Sequence, residues 1–255
     1  MNKQNESMIE NLPHKSPVFL PAGDQALVIE LGRSINPDIN RKVHNLMRSI
    51  ERHEIVGVID LLPSYTSLLI QYDPILVSYS DLQSQLSEIE QDSIIEAPVM
   101  TRIVHIPTLY QGTYAPDLDF VSKHTSLTID EVIATHSSTI YRVYMMGFTP
   151  GFPYLGGLPE KLKTPRLRTP RLKIPAGSVG IADNQTGIYP VSSPGGWRLI
   201  GSTPIKLFDA HSDAPSLLTA GDSIKFVPLP DEEEYVRIHN LVEAKEYQVT
   251  VESVQ

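Results

Sequence analysis

Two consecutive pentapeptides, at residues 164–168 and 169–173, carry the strongest chemical signal in the sequence. They read Thr-Pro-Arg-Leu-Arg and Thr-Pro-Arg-Leu-Lys, so that Arg166 and Arg171 occupy equivalent places. Each proline fixes its own φ and drives the preceding threonine toward an extended conformation, which predicts a stiff, extended ribbon. Because a guanidinium binds a carboxylate or phosphate through two parallel hydrogen bonds, we interpret this ribbon as an anion-binding strip. The alternative interpretation is a solvated basic loop.

Segments rich in glycine and aromatic residues flank the two pentapeptides. In residues 147–158 the aromatic residues alternate with glycine and proline, which favours rigid apolar walls and a close approach of the backbone to a ligand. The predicted pocket wall consists of Phe148, Phe152 and Tyr154. The alternative is a loop packed on its own aromatic side chains. After a predicted hairpin that contains Tyr189, the turn at Gly195 and Gly196 lies beside Trp197, and its backbone N–H groups could form an anion-binding nest.

The charge of the chain is unevenly distributed. The 255 residues include no cysteine and carry a formal net charge of −9, yet residues 147–201 carry a net charge of +5. Disulfides and thiolate chemistry are therefore excluded. An acidic chain of this kind does not suit general nucleic-acid binding, which depends on neutralising phosphates with Lys and Arg. Any anion-binding site must therefore depend on a local concentration of positive charge rather than on the net charge of the chain.

Several other chemistries are disfavoured by the sequence. It contains no P-loop, so that a nucleotide site must be of another kind or shared with a partner. Ser178 lies in a Gly-Ser-Val-Gly segment that resembles a nucleophile elbow, but strand-turn-strand patterns surround it instead of a strand and a helix. The eight histidines show no metal-ligand spacing, and we expect the chain itself to bind no metal.

The elements that must position these residues fall into two predicted domains. Residues 15–95 alternate as β-β-α-β-β-α, with Asn36 as the N-cap of the first helix, which predicts a small α+β domain of ferredoxin-like type. Residues 98–230 contain short apolar runs separated by Gly and Pro, which indicates an all-β barrel or sandwich. A short helix is expected to open at Thr128 and run through His136. Residues 231–255 are predicted to form an acidic extension, a hinge followed by one strand at residues 247–251.

The ends of the sequence bear on the expected location. Residues 1–15 are polar and have no apolar h-region, so they do not resemble a secretory signal peptide. No segment approaches the roughly 20 apolar residues of a membrane span. We therefore expect a cytoplasmic protein that binds neither membrane nor nucleic acid.

Taken together, the motifs resemble the PxpB/KipI family. The resemblance is carried by residues 147–157, the paired Thr-Pro-Arg units, residues 175–179, residues 188–190 and the Ser-Pro-Gly-Gly-Trp segment that ends at Trp197. That family includes the B subunit of bacterial ATP-dependent 5-oxoprolinase, the sporulation kinase inhibitor KipI and the allophanate hydrolase subunit 1 module of urea carboxylases. Ala115 stands where the family pattern has glycine, which leaves the local turn geometry open.

The resemblance implies a fold, an activity and partners. The fold would be an α+β N-terminal domain followed by an all-β cyclophilin-like barrel domain. The activity would be ATP-dependent hydrolysis of 5-oxo-L-proline to L-glutamate, performed with subunits A and C, with the isolated chain inactive or nearly so. ATP would enter with Mg²⁺ held mainly by its phosphates, at a position that could be shared with the partner subunit.

The implied reaction also suggests roles for individual residues. Arg166 and Arg171 would supply positive charge, with Gly195 and Gly196 as backbone donors. Asp117 and His136 are the candidates for handling protons, which would make them the catalytic pair. Each has a structural alternative: Asp117 as a turn former after Pro116, and His136 as a core histidine near a helix end.

Other members of the family act differently, and two alternatives remain open. The chain could inhibit autophosphorylation of a sporulation histidine kinase by binding its dimerisation domain, in which case the arginines would serve recognition. It could also be an allophanate hydrolase or urea carboxylase-type subunit 1.

Overall fold

The computed structural model describes residues 13–92, 101–147 and 149–254. Phe148 therefore lies outside the described residues, as does most of the predicted boundary at residues 92–98. The chain divides into two compact units, residues 1–99 and residues 100–255. None of the helices in the described residues is long and apolar enough to cross a membrane.

The first unit contains a four-stranded antiparallel sheet and two helices, in the predicted order β-β-α-β-β-α. Its elements are β1 (Pro13–Pro21), β2 (Ala26–Gly32), α1 (Pro37–His53), β3 (Val58–Pro63), β4 (Ser67–Tyr72) and α2 (Tyr79–Asp92). The sheet order is β1-β2-β4-β3. Alternate residues of β2 and β4, such as Leu27 and Ile70, are fully buried in one core with the apolar side of the helices. The Asn36 side chain caps α1 as predicted, since its Oδ1 accepts a 2.7 Å hydrogen bond from the Asp38 N–H.

The second unit is built on a large sheet of eight strands. Its elements are β5 (Thr101–Thr108), α3 (Leu118–Thr125), α4 (Ile129–Ser138), β6 (Ile140–Met146), β7 (Pro153–Gly156), β8 (Arg171–Ile174), β9 (Ser178–Ala182), β10 (Gln185–Ile188), β11 (Ser193–Gly195), β12 (Arg198–Ser202), β13 (Ser223–Pro228), α5 (Glu232–Glu243) and β14 (Val251–Val254). The sheet order is β12-β9-β10-β7-β6-β13-β5-β14, and β8 and β11 form a separate two-stranded sheet. Only the β5–β13 pair is parallel among the described strands.

The core of the second unit lies between this sheet and the helices α3 and α4. Fully buried residues such as Val104, Tyr141 and Ile181 project from the strands, and Val121 and Val132 project from the helices. Helix α4 begins with the predicted signal, because Thr128 and Glu131 form a capping box. Beyond the end of β5, Leu109 forms an isolated bridge to Ser202 of β12, with backbone hydrogen bonds of 2.8 and 3.0 Å. This bridge connects the end of β5 with the edge strand β12. Apart from this bridge, the sheet does not close into a barrel in the described part of the chain.

The structure corrects three expectations for the second unit. The unit is mixed rather than all-β, because it includes three α-helices among its described residues. The acidic run at residues 231–234, expected to be a hinge, starts helix α5. There the Asp231 side chain accepts a 2.9 Å hydrogen bond from the Glu234 N–H, and acidic side chains in a first turn favour the positive end of the helix dipole. The final strand lies at Val251–Val254 rather than at residues 247–251, and it pairs antiparallel with β5.

Candidate functional site

The strap, which we define as residues 164–173, is attached to the second unit at several points. Thr164 forms a bridge with Asp183, the Leu167 N–H donates a 2.7 Å hydrogen bond to the Gly196 carbonyl, and Arg171 opens strand β8 and pairs with Gly195. The predicted extended conformation is therefore observed as a strand from Arg171 onward. These attachments bring the strap to the Gly195–Gly196 turn, as the anion-site hypothesis requires.

The two equivalent arginines of the strap have different surroundings. Arg171 donates from Nη2 to Asp117 Oδ1 at 2.9 Å and from Nη1 to the Trp197 carbonyl at 3.3 Å. Arg166 makes an ion pair with Asp183 at 3.3 Å, in which both side chains are more than half exposed. The Cζ atom of Arg166 lies 5.9 Å from the centre of the Trp197 ring. Of the two guanidiniums, that of Arg166 is the one open to a ligand.

Asp117 is a buried carboxylate at the start of helix α3. Its Oδ2 accepts a 2.7 Å hydrogen bond from the Leu199 N–H, and its own N–H donates to the Leu199 carbonyl at 2.9 Å. Its Oδ1 lies 2.9 Å from Arg171 Nη2 and 3.8 Å from Arg198 Nη1. The carboxylate thus joins strand β12 to two guanidiniums.

Arg198 is a further member of the group of charged side chains around Asp117, although no motif in the sequence pointed to it. Its Nε donates to the Pro165 carbonyl at 3.3 Å, and its Cζ lies 3.6 Å from the centre of the Phe120 ring. The side chain is only 14% exposed. The sequence signal for Arg198 was a basic residue directly after the Gly-Gly-Trp segment. Its partners Asp117 and Phe120, at the start of α3, are distant in sequence.

The predicted aromatic residues that the structure describes lie in one cluster. Phe152, Tyr189 and Trp197 are buried, and the Phe152 ring meets the Tyr189 and Trp197 rings edge-on at centroid distances of 5.4 and 5.7 Å. Tyr154 is partly buried and packs on Phe152 at 5.0 Å. The rings pack mainly against one another, which is the arrangement expected of an aromatic-packed loop, and the exposed guanidinium of Arg166 lies at the edge of this cluster.

Tyr189 links the aromatic cluster to the charges of the strap. Burial raises the pKa of the Tyr189 hydroxyl, whereas a hydrogen bond with the Trp197 backbone and the positive charges of Arg166 and Arg171 act in the opposite direction. Arg166 and Arg171 therefore lie close enough to this hydroxyl to act on it electrostatically.

The two glycines of the turn differ in the space around them. A Cβ atom on Gly195 would lie 2.3 Å from the Tyr189 hydroxyl oxygen and 2.7 Å from Ile174 Cδ1. A Cβ atom on Gly196 would have no neighbour closer than 3.7 Å. Gly195 is thus required for the position of Tyr189, whereas Gly196 accepts the backbone hydrogen bond from Leu167.

The structure does not bring His136 to the arginines. His136 is fully buried in the core of the second unit and packs against the rings of Tyr110, Tyr141 and Phe226. The Thr186 hydroxyl donates to the Gly180 carbonyl, so it accepts a 3.0 Å hydrogen bond from Nε2, and Nδ1 accepts a 2.8 Å hydrogen bond from the Tyr110 hydroxyl. Burial lowers the pKa of His136 to about 3. This environment is that of a neutral core histidine.

No group of three or more metal-ligating side chains is found among the described residues. At the strap, the exposed guanidinium of Arg166 beside the aromatic cluster has the chemistry needed to bind an anion.

Comparisons with known proteins give relatives for nearly the whole chain. The family model described as carboxyltransferase domain, subdomain C and D, matches residues 17–218. The B subunit of 5-oxoprolinase from Bacillus subtilis strain 168 is 43% identical over 225 residues, which cover 83% of this chain and 92% of the relative. The protein of the same name from Escherichia coli O157:H7 is 39% identical over 207 residues, covering 81% of this chain and 93% of the relative.

Solved structures resemble the chain in fold. The crystal structure of TTHA0988 has a TM-score of 0.72 and 34% identity over 81% of this chain, and this chain spans 40% of the TTHA0988 chain. The urea amidolyase of K. lactis has a TM-score of 0.80 over 95% of this chain and 17% of its own, at 24% identity, a likeness that concerns the fold alone.

Proposed function

The chain belongs to the family of carboxyltransferase subdomains C and D, and we propose that it is the B subunit of an ATP-dependent 5-oxoprolinase. In this proposal it acts with subunits A and C, in the cytoplasm, to hydrolyse 5-oxo-L-proline to L-glutamate. Support comes from relatives named as the B subunit of 5-oxoprolinase, which are about two-fifths identical to it over nearly their whole length.

The substrate of this reaction is a five-membered lactam that carries a carboxylate. The lactam resists hydrolysis, and ATP would supply the activation by phosphorylating the amide oxygen. Water would then add to the ring carbon, the C–N bond would break with the nitrogen leaving as the amine of glutamate, and the remaining acyl phosphate would be hydrolysed to a carboxylate and phosphate. The contribution of this chain is then to bind and orient an anion in a place where positive charge is fixed in advance. The residues with the right chemistry are those of the strap and the Gly195–Gly196 turn.

The single observation that carries the proposed site is the position of Arg166. Its guanidinium lies over the Trp197 ring with Cζ 5.9 Å from the ring centre, is about half exposed, and is paired with a similarly exposed Asp183. An exposed ion pair of this kind contributes little free energy, so a ligand carboxylate can replace Asp183 without a large cost. A small ring acid would place its carboxylate on Arg166 and its ring beside the aromatic cluster.

His136 is not part of this proposal. A general acid or base must reach the proton that it transfers, and His136 is enclosed by core side chains. The protons of the reaction are assigned instead to groups that the partner subunits contribute.

The finer fold assignment belongs to the proposal as well. We propose that the second unit is a cyclophilin-like barrel, supported by the Leu109–Ser202 bridge between β12 and the end of β5. The first unit is proposed to be ferredoxin-like. Neither fold by itself decides the activity.

The test is reconstitution of the complex. The chain is co-purified with candidate A and C subunits, and glutamate release from 5-oxo-L-proline is measured with and without ATP. We expect ATP-dependent release by the complex and none by the isolated chain. A stable complex that never opens the lactam would refute the proposal.

A second candidate is the urea carboxylase-type module, which is supported by the urea amidolyase of Lachancea kluyveri, 27% identical to this chain over 271 residues that cover 89% of this chain and 14% of the relative. The same purified complex, offered urea and bicarbonate with ATP, separates the two. Inhibition of histidine kinase autophosphorylation by the isolated chain would instead support the kinase-inhibitor alternative.

A further inference from the structure

Both ends of the strap are connected to the buried carboxylate of Asp117. One end is bonded to it directly through Arg171, and the other is connected to it through Arg198. At the C-terminal end, Arg171 is hydrogen-bonded to Asp117 at 2.9 Å. At the N-terminal end, the Pro165 carbonyl accepts from Arg198, whose Nη1 lies 3.8 Å from the same Asp117 oxygen. Arg166, the residue with the exposed guanidinium, lies between these two ties.

We infer that Asp117 is a positioning residue that holds Arg171 and Arg198 and, through them, fixes the strap that presents Arg166. This inference rests on the proposed function for the identity of the ligand, but the attachment of the strap does not depend on it. It also changes the role expected for Asp117 from the sequence, which was that of a proton-handling group.

The environment of Asp117 supports positioning over proton transfer. One carboxylate oxygen is occupied by the Leu199 N–H at 2.7 Å, and the other faces two guanidiniums. All of these partners are hydrogen-bond donors or positively charged groups, so both oxygens of the carboxylate are already engaged within the chain. The side chain is 9% exposed, so it has little surface left for a substrate.

The surroundings of Arg171 and Arg198 show how the Asp117 carboxylate would hold the strap in place. Arg198 is held on its other side by the Phe120 ring at 3.6 Å, a contact between a cation and an aromatic face. Arg171 is held on its other side by the Trp197 carbonyl at 3.3 Å. Without Asp117, two neighbouring guanidiniums would lose the charge that lies between them, and their mutual repulsion would loosen the strap.

The first experiment measures the attachment of the strap by limited trypsin digestion, with mass spectrometry of the fragments. Asp117→Asn keeps an acceptor for the Leu199 N–H but removes the charge. Asp119→Asn removes an exposed carboxylate from the first turn of the same helix and is the matched control. We expect cleavage after Arg166 and Arg168 to be at least tenfold faster in Asp117→Asn than in the control. Equal rates in the two variants would overturn the inference.

A second variant keeps the test decisive if Asp117→Asn fails to fold. Arg171→Gln removes the other partner of the same ion pair, and its side chain is only partly buried. We expect it to accelerate the same cleavages relative to the control, and unchanged rates would overturn the inference. Where Asp117→Asn does fold, the double variant should cleave no faster than the faster single variant, because both changes break one interaction. Additive acceleration would contradict a shared tie.

The third measurement separates positioning from proton transfer in the reconstituted complex. If Asp117 positions the strap, Asp117→Asn raises the KM for 5-oxo-L-proline about 10- to 100-fold and leaves the shape of the kcat pH profile unchanged. If Asp117 transfers a proton, kcat falls and one limb of the profile is lost, which would overturn the inference. A wild-type complex without lactam turnover would refute the proposed function, whereas the digestion experiment would still decide the role of Asp117.

Discussion

The Cζ atom of Arg166 lies 5.9 Å from the centre of the Trp197 ring, whereas the Trp197 carbonyl accepts a hydrogen bond from Arg171. Two residues at equivalent places in a sequence repeat thus contact one tryptophan in different ways. Arg166 lies over the Trp197 ring, and its guanidinium stays exposed. Arg171 instead donates to the Trp197 backbone carbonyl and to Asp117, so its guanidinium is already hydrogen-bonded.

Arg166→Ala is expected to weaken substrate binding in the complex without unfolding the chain. A charge-assisted hydrogen bond contributes about 1.5–3 kcal/mol, which corresponds to a rise in KM of about 10- to 100-fold. The free energy of unfolding should change little, because the Arg166–Asp183 pair is exposed. Steady-state kinetics with 5-oxo-L-proline check the first effect and urea denaturation the second.

The control for Arg166 is Arg168→Ala. This change removes the same charge from an exposed position of the same strap, two residues away. Its KM should stay within about twofold of the wild-type value, on the order of the small effects typical of exposed charges. A similar rise in KM for both variants would mean that the net charge of the strap matters and the position of Arg166 does not.

Asp183→Asn is expected to lower the KM for 5-oxo-L-proline. Asp183 competes with a ligand carboxylate for Arg166, and an exposed pair of this kind contributes about 0.2–1 kcal/mol, so the KM should fall by up to about fivefold. Asparagine suits the site because Asp183 has a φ of 53°, a conformation in which Asn is well tolerated. Glu160→Gln, which removes an exposed carboxylate paired with Lys163, is the control. An unchanged or higher KM in Asp183→Asn would argue against Arg166 as the ligand-binding residue.

Much of this region could be predicted from local sequence. The proline spacing predicted an extended segment, which is observed as a strand from Arg171 onward. The glycine and aromatic residues of 147–158 offered a packed aromatic loop as one alternative, and Phe152 and Tyr154 do pack on each other. The Thr128–Glu131 capping box predicted the start of α4. These features depend on neighbours within a few residues, which a single sequence contains.

The partners of Asp117 could not be predicted in the same way. Asp117 contacts Arg171 and Leu199, which lie 54 and 82 residues further along the chain. The position of His136 was also beyond local reasoning, because helical spacing shows which residues share a face but does not show what that face packs against. The hinge predicted at residues 231–234 was wrong although the signal for a helix start is local there: Asp231 accepts a hydrogen bond from the Glu234 N–H three residues further along.

Gly195→Ala is expected to destabilise the second unit. Gly196→Ala is the matched control and should have little effect, because Gly196 has room for a methyl group. The new Cβ atom at Gly195 would overlap the Tyr189 hydroxyl at 2.3 Å, and at Gly196 the nearest atom would be 3.7 Å away. Overpacking of this kind costs about 1–3 kcal/mol. Urea denaturation, followed by the fluorescence of the single tryptophan, measures the difference. Equal free energies of unfolding for the two variants would show that Tyr189 is free to move.

The buried His136 predicts a specific dependence of stability on pH. Burial lowers its pKa in the folded chain to about 3, whereas an unfolded histidine titrates near its ordinary value of about 6.5. Between these two values the unfolded chain binds one proton more than the folded chain. Stability is therefore fully present above about pH 6.5 and is lost as the pH falls, by about 1.4 kcal/mol per unit.

His136→Gln removes this titration while keeping a donor and an acceptor for Tyr110 and Thr186. The variant should be less stable at pH 7, because glutamine does not fill the space of the ring between Tyr141 and Phe226. From pH 7 to pH 5 the wild type should lose about 2 kcal/mol more free energy of unfolding than the variant. His239→Gln, which removes an exposed histidine on α5, should follow the wild type. Parallel curves for wild type and His136→Gln would mean that His136 takes up a proton in the folded chain, and a role in proton handling would have to be reconsidered.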